Sequence, residues 1–455
     1  MQSSKEFIRA TEKKAFDLKH RNIINNNIGK YNEAVSRGKQ QFDAYELARR
    51  RASFAKWRAI ENLDKLLLDF EANIQRKGAQ VIWCVDAAEA QQQLMTILRK
   101  HKAQSVVKSK SMATEEIGLN ELLEKNKIEC VETDLGEYIQ QLDGEKPYHI
   151  VTPAMHKSKG DIAKLFHEKL GTPLDYSPEE MSNHARMVLR EKYLKAEVGI
   201  TGANFLLADT GSVCVTENEG NARLTTSFPE THIVIAGIEK VLPSYTDLQL
   251  FLPLLATAGT GQKITAYNSI FSGPRQEGET DGPRNMYVLL IDNGRTQLLA
   301  KHEQRQALHC IRCGACLNAC PIYKNIGGHS YQTTYSGPIG SVITPHLKNL
   351  EEYKHLSYSS SLCGNCTEVC PVKINLHELL LINRRDAVIE NLNTWTENQG
   401  WKVWKWAMMK RNRFNQSGDT KNRLLRFMFS GIWGNRRTLP EVAPKSFYEL
   451  WKENN

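Results

Sequence analysis

Seven of the ten cysteines of this 455-residue chain fall in two short runs, and no other feature constrains its fold as strongly. The first run reads Cys310-Ile-Arg-Cys313-Gly-Ala-Cys316-Leu-Asn-Ala-Cys320-Pro321. The second reads Cys363-Gly-Asn-Cys366-Thr-Glu-Val-Cys370-Pro371. The first has the C-x2-C-x2-C-x3-C-P spacing of bacterial-type iron–sulfur proteins. In that pattern three closely spaced thiolates wrap one cluster, and the fourth points away and serves the other. Pro321 and Pro371 end the local helix, because proline lacks the N–H needed to continue it.

Applied here, this exchange gives a definite expectation. Cluster one takes Cys310, Cys313, Cys316 and Cys370, and cluster two takes Cys320, Cys363 and Cys366. The slot three residues before Cys363 holds Ser360. Cluster two is therefore either a three-iron [3Fe-4S] centre or a [4Fe-4S] cube with a non-cysteine or open fourth position. Metal would close two long loops, so apo protein should be disordered in this region. The competing reading is zinc, which favours four tetrahedral ligands in two separated pairs. Seven cysteines with two Cys-Pro endings fit that poorly. A disulfide framework fits less well still.

Cys84, Cys130 and Cys214 lie in strand-like runs and read as small buried hydrophobes. The N-terminus mixes Lys and Glu with no apolar segment, unlike a secretory signal. The longest apolar stretch, Leu248 to Gly261, contains Pro253 and is shorter than the roughly 20 residues of a spanning helix. A cytoplasmic location is the expectation, where clustered cysteines are metal ligands more often than disulfides.

The texture along the chain predicts four regions. Residues 1–75 read as helical, with Leu47, Phe54, Trp57, Ile60, Leu63 and Leu67 at near-helical spacing. Residues 76–295 alternate short strands with helices, predicting an α/β domain on a mostly parallel sheet. Its expected strands are 80–85, 104–108, 128–132, 149–152, 199–209, 212–217, 231–237 and 286–292. Residues 296–390 are helical and carry the cysteine runs. Residues 391–455 are helical, basic and tryptophan-rich.

Two clusters most simply carry electrons one at a time, so a two-electron oxidation needs a further cofactor. The chain has no G-x-G-x-x-G at a strand–helix junction, no Walker-type phosphate loop and no adjacent cysteine pair. Gly259-Thr-Gly-Gln-Lys263 is only a faint echo of a phosphate loop. The oxidising site is therefore expected on a partner. In the α/β domain, Asp209-Thr-Gly-Ser212 and Glu217-Asn-Glu-Gly-Asn221 join strands. Two readings stand open for them. They form an anion or small-molecule pocket at strand ends, with Lys108 and Lys110 supplying charge; or they are ordinary turns. His232 reads as a structural histidine. His309 and Arg312 either offset cluster charge or are solvated surface, and the second is the simpler expectation.

The formal net charge of +9 sits entirely in residues 401–437, where Asp419 is the single acid among ten Lys and Arg, and the rest of the chain is formally neutral. Trp401, Trp404 and Met408 share a helical face. With no basic face elsewhere and no nucleic-acid motif, this segment reads as a docking helix for a partner or a cover for the clusters. The runner-up is peripheral contact with a membrane near a quinone pool.

Taken together, the motifs resemble the lactate utilisation protein B family over nearly the whole chain. The resemblance rests on both cysteine runs, including the three-cysteine second run. It rests also on Lys108-Ser-Lys-Ser-Met112 with Thr114-Glu-Glu-Ile117, on Asp209-Thr-Gly-Ser212 with Thr216-Glu-Asn-Glu-Gly-Asn221, and on Pro229, His232 and Gly237-Ile-Glu-Lys240. Gly327-Gly-His-Ser-Tyr331 and Ser336-Gly-Pro-Ile-Gly340 match as well. It implies an α/β domain of the sugar-isomerase and CoA-transferase-like type, followed by an α-helical ferredoxin-like domain with two [4Fe-4S] clusters. It implies a cytoplasmic electron carrier in the oxidation of L-lactate to pyruvate, allowing lactate use as carbon source and working with two companion proteins. The alternative is an α/β-domain enzyme or binding module for a small anionic metabolite, with accessory clusters.

Overall fold

The computed structural model describes residues 2–415, 418–433 and 438–454. The chain divides into two compact units, residues up to Asp386 and from Ala387 onward.

Ten strands form two sheets in the first unit. They are β1 (Gln80–Cys84), β2 (Ser105–Lys108), β3 (Glu129–Glu132), β4 (Val198–Thr201), β5 (Phe205–Leu207), β6 (Ser212–Glu217), β7 (Thr231–Gly237), β8 (Val241–Leu242), β9 (Tyr267–Phe271) and β10 (Asn285–Ile291). The larger sheet has the order β1-β10-β7-β4-β2-β3 and is parallel throughout. Its central strands β4 and β7 are buried along their length, as helix-covered parallel strands are. The helices between them start on local signals. Ser158 with Asp161, and Ser177 with Glu180 behind Pro178, form capping boxes at Lys159–Leu170 and Pro178–Lys195.

A second sheet, in the order β8-β5-β6-β9, departs from the sequence expectation. β5–β6 and β6–β9 are antiparallel and β5–β8 parallel. The stretch read as one strand over 199–209 breaks at Gly202-Ala203, sending β4 and β5 to different sheets. A Cβ at Gly202 would lie 2.5 Å from Ser111 Oγ, so this crossing needs glycine. The expected strand at 149–152 is instead a bend, held by His149 Nδ1 accepting from the Val151 and Thr152 amides.

The N-terminal helices are integral to the core. Phe7, Ile24, Ile28, Ile60, Leu63, Leu67 and Phe70 share a hydrophobic cluster with β5–β8 and with the cysteine-bearing segment. On helix Tyr45–Glu61, however, Leu47, Phe54 and Trp57 face outward. The buried face is Arg49, Ala52, Ala55, Lys56, Ala59 and Ile60.

In the second unit, Thr394 and Glu397 form a capping box at helix Trp395–Met408. Trp401 and Trp404 meet edge to face at 5.8 Å, and Trp395, Trp406 and Phe427 are exposed. Arg436 and Arg437 lie outside the described residues. Among the described residues, no helix is long and apolar enough to cross a membrane.

Candidate metal centre and adjoining cavity

The two cysteine runs, 310–320 and 363–370, are folded against one another. Short helices Ala315–Ala319 and Asn365–Glu368 pack together, and Asn365 Nδ2 donates to the Ala319 carbonyl at 3.1 Å. Cys310, Cys313, Cys316 and Cys370 line one small cavity with Ile311, Ile339, Val372, Ile374 and Leu376. Cys320, Cys363 and Cys366 form the second group, close enough to interact electrostatically. Cys363 is exposed and Cys366 buried. Ser360, in the slot of the absent cysteine, accepts from the Leu362 amide at 3.1 Å through its hydroxyl.

Backbone amides point at the sulfurs. Arg312 N reaches Cys310 Sγ at 3.4 Å, Tyr323 N reaches Cys320 Sγ at 3.5 Å, and Ile374 N reaches Cys370 Sγ at 3.4 Å. Burial drives the Cys313 and Cys316 thiols far above their ordinary range and Cys366 and Cys370 up to about 11. Thiols so placed give up their protons when a metal takes the thiolate charge. Seven thiols in two groups, with backbone amides aimed at three of the sulfurs, fit iron–sulfur clusters better than a four-ligand zinc site.

Arg49, Lys56, Arg312 and a neutral histidine, His309, lie around the first group. Arg49 donates to the Cys370 carbonyl at 2.9 and 3.1 Å and to the Glu368 carbonyl at 2.6 Å. Lys56, 1% exposed, donates to the Glu239 carbonyl at 2.6 Å, and burial lowers its pKa to about 7. His309 is buried and held neutral by desolvation, at about 3. The Arg312 side chain is only 10% exposed and lies at positive φ over the Tyr335 ring. The expectation that His309 and Arg312 are solvated surface is therefore overturned. Helix Tyr45–Glu61 packs on the turn Arg305–His309 that leads into the first cysteine run.

Beyond Cys313 and Arg312 a cavity of about 550 Å³ opens at the carboxyl ends of β2, β4 and β7. This is where parallel α/β sheets bind ligands. Lys110, Glu217 and Glu219 line it, as the pocket reading expects. Lys108 does not. It is wholly buried against Glu115 at 2.9 Å and Glu132 at 2.8 Å. The turn reading also holds in part, because Glu217 accepts from the Ala222 and Arg223 amides and Glu219 from the Leu135 amide. Asp209 accepts from the Tyr245 amide. Gly259 and Thr260 reach the cavity from the carboxyl end of helix Leu248–Thr260. A helix carboxyl end presents carbonyls, not the amides that cradle phosphate, so the phosphate-loop echo has no structural counterpart. His232 donates to or accepts from Thr201 Oγ1 at 2.8 Å and is structural. Cys84, Cys130 and Cys214 are thiols pushed up to about 11, 12 and 12 by burial.

A parallel α/β sheet joined to paired cysteine runs defines the class. Residues 67–291 match the LUD domain and residues 306–374 the 4Fe-4S dicluster domain. This is a LUD-domain iron–sulfur protein. Lactate utilization protein B of Bacillus velezensis is 46% identical over 77% of this chain and 73% of its own length. That of Bacillus subtilis is 45% identical over 75% and 74%, and that of Bacillus thuringiensis 48% over 72% and 69%. The chain belongs to the lactate utilization protein B family.

Proposed function

We propose that this protein is the iron–sulfur electron-transfer subunit of an L-lactate-oxidising system that yields pyruvate, acting with two companion proteins in the cytoplasm. The observation that carries the reading is the convergence of seven cysteines into two adjacent groups, the first of them lining an apolar cavity. The ligand sets are Cys310, Cys313, Cys316 and Cys370 for one [4Fe-4S] cluster, and Cys320, Cys363 and Cys366 for a second with a non-cysteine or open fourth position. In this reading residues 76–295 are the α/β domain, of sugar-isomerase and CoA-transferase-like type. Residues 296–390 are the cluster domain, flanked by helical regions 1–75 and 391–455.

When bound, such clusters accept and release electrons one at a time. The chain's own residues prepare the place. Amides of Arg312, Tyr323 and Ile374 donate to sulfur, which favours the more negative, reduced state. Arg49 fixes the carbonyl of Cys370, and with it the loop that returns this thiol to the first group. Ile311, Ile339 and Val372 exclude water. The basic, aromatic segment 401–437 docks a partner protein, with anionic membrane contact as the competing outcome.

The test is anaerobic reconstitution of the three proteins with L-lactate. The reading expects lactate-dependent bleaching of iron–sulfur absorption. Clusters that stay oxidised with lactate yet are reduced by dithionite would refute the lactate role. Deleting 401–455 should release the companions and leave iron content unchanged; release from anionic vesicles instead would favour the membrane.

A further inference from the structure

The cavity at the strand ends contains cationic groups that its walls leave unmatched. Lys110 is matched, donating to the Val151 carbonyl at 2.5 Å beside Asp134 at 3.6 Å. Arg295 is saturated by Glu116 and Glu239. Lys240 differs: among the described residues its ammonium has no hydrogen bond or ion pair. Arg312 spends Nη2 on Glu239 at 3.2 Å, while its buried Nη1 has no partner. Lys240 and Arg312 both line the cavity and lie close enough to repel one another. Two like charges with spare donors on one half-buried cavity wall repel one another until an anion joins them.

Size narrows the ligand. A cavity of about 550 Å³ falls within the range of sites for whole metabolites and drug-sized molecules. A three-carbon hydroxy acid would leave most of it open. The cavity is lined as well by Asp134, Asn218, Glu219 and Gln262, side chains that hydrogen-bond hydroxyls and amines.

We propose that this cavity binds a metabolite of more than three carbons, seating a carboxylate or phosphate oxyanion between Lys240 and Arg312 at the wall shared with Cys313. The site stands whether or not electrons from lactate pass through the neighbouring clusters.

Calorimetry on the anaerobic, iron-loaded full-length protein tests it, with citrate, adenosine 5′-monophosphate, L-lactate and orthophosphate as probes. Citrate or the nucleotide should bind saturably and at least tenfold more tightly than lactate or orthophosphate. Citrate alone marks a carboxylate site, the nucleotide alone a phosphate site. Lys240→Met should weaken that binding at least tenfold, Lys240→Arg should retain most of it, and Lys195→Met on the outer surface should change nothing. If Lys240→Met loses iron, Thr260→Trp, which fills the cavity from helix Leu248–Thr260, replaces it and should abolish binding. Four results would overturn the site: no saturable binding of any probe, lactate binding as tightly as the larger anions, Lys240→Met binding like the parent with its iron retained, or Thr260→Trp binding like the parent.

Discussion

The Arg312 guanidinium, two residues beyond Cys310, donates to Glu239 at 3.2 Å, and Glu239 accepts from Arg295 at 2.5 Å. The chain of contacts closes on itself. Arg295 grips Glu116 with both terminal nitrogens at 2.8 Å, Tyr335 donates to Glu116 at 2.6 Å, and Arg312 lies 4.5 Å from the Tyr335 ring centre. Arg312 and Tyr335 come from the cysteine-bearing segment, and Glu116, Glu239 and Arg295 from helices and turns at the strand ends of the α/β region. The two guanidiniums hold the Glu239 carboxyl down at about 2 against the burial that would raise it. This cycle locks the two segments together.

Removing one member strands the rest. Glu239→Gln leaves two buried guanidiniums short of a carboxylate and should destabilise the first unit by about 3–5 kcal/mol. Denaturant unfolding followed by tryptophan fluorescence measures this. Tyr335→Phe, which loses one donor to Glu116, should cost less, about 1–3 kcal/mol. Equal midpoints for parent and Glu239→Gln would remove the cycle from the account.

Arg49 acts on the cluster segment through the Cys370 and Glu368 carbonyls. Arg49→Met keeps the buried stem and loses the fork. The expected outcome is a several-fold faster loss of iron to a chelator, with little change in far-UV circular dichroism. Arg50→Met, one residue on and facing solvent, should release iron at the parental rate.

The Gly327-Gly328 pair is demanded by Tyr148. A Cβ at Gly328 would fall 1.7 Å from the Tyr148 carbonyl oxygen, and one at Gly327, where φ is +71°, 1.9 Å from its hydroxyl. Gly328→Ala should cost about 3 kcal/mol, at the upper end for overpacking. Gly29→Ala, inside helix Leu18–Gly38 with nothing near its Cβ, should instead stabilise by about 0.5–1 kcal/mol. Thermal melts of the two variants should move in opposite directions.

Buried neutral histidines make the fold acid-sensitive. Desolvation lowers His232 from 6.5 to about 3 and His346 to about 4. Because the folded values are depressed, the unfolded chain binds protons first. Their stabilisation is complete above about pH 6.5 and is lost as pH falls toward the folded values, at up to about 1.4 kcal/mol per pH unit for each histidine. His232→Gln keeps a partner for Thr201 and cannot titrate. Its stability should fall by about one proton's slope less than the parent's between about pH 6 and pH 4. Parallel profiles would contradict the burial argument.

The cysteine grouping was legible because a metal-ligand spacing is written directly in the sequence, and both runs carry one. The parallel strands were legible because strands buried on both faces are written as apolar runs, as in Thr231–Gly237. What escaped was set by contacts across long separations. Tyr267–Phe271 alternates weakly because its strand is half exposed. Phe54 and Trp57 mimic a core stripe, yet the alanine face of their helix packs inward and carries Arg49 and Lys56 to the cysteine segment. Lys108 looks like a pocket residue until its three glutamate neighbours are seen. Lys240 closes the motif Gly237-Ile-Glu-Lys240, but only the fold places it near Arg312.

Two four-iron clusters held by seven cysteines are the centre of the proposed function. Iron and acid-labile sulfide analysis of the anaerobically purified protein, with EPR before and after dithionite reduction, tests it most directly. The account predicts about eight irons and eight sulfides per chain, with spectra of two interacting reduced clusters. Zinc in place of iron, or a three-iron signal that added iron does not convert, would contradict it.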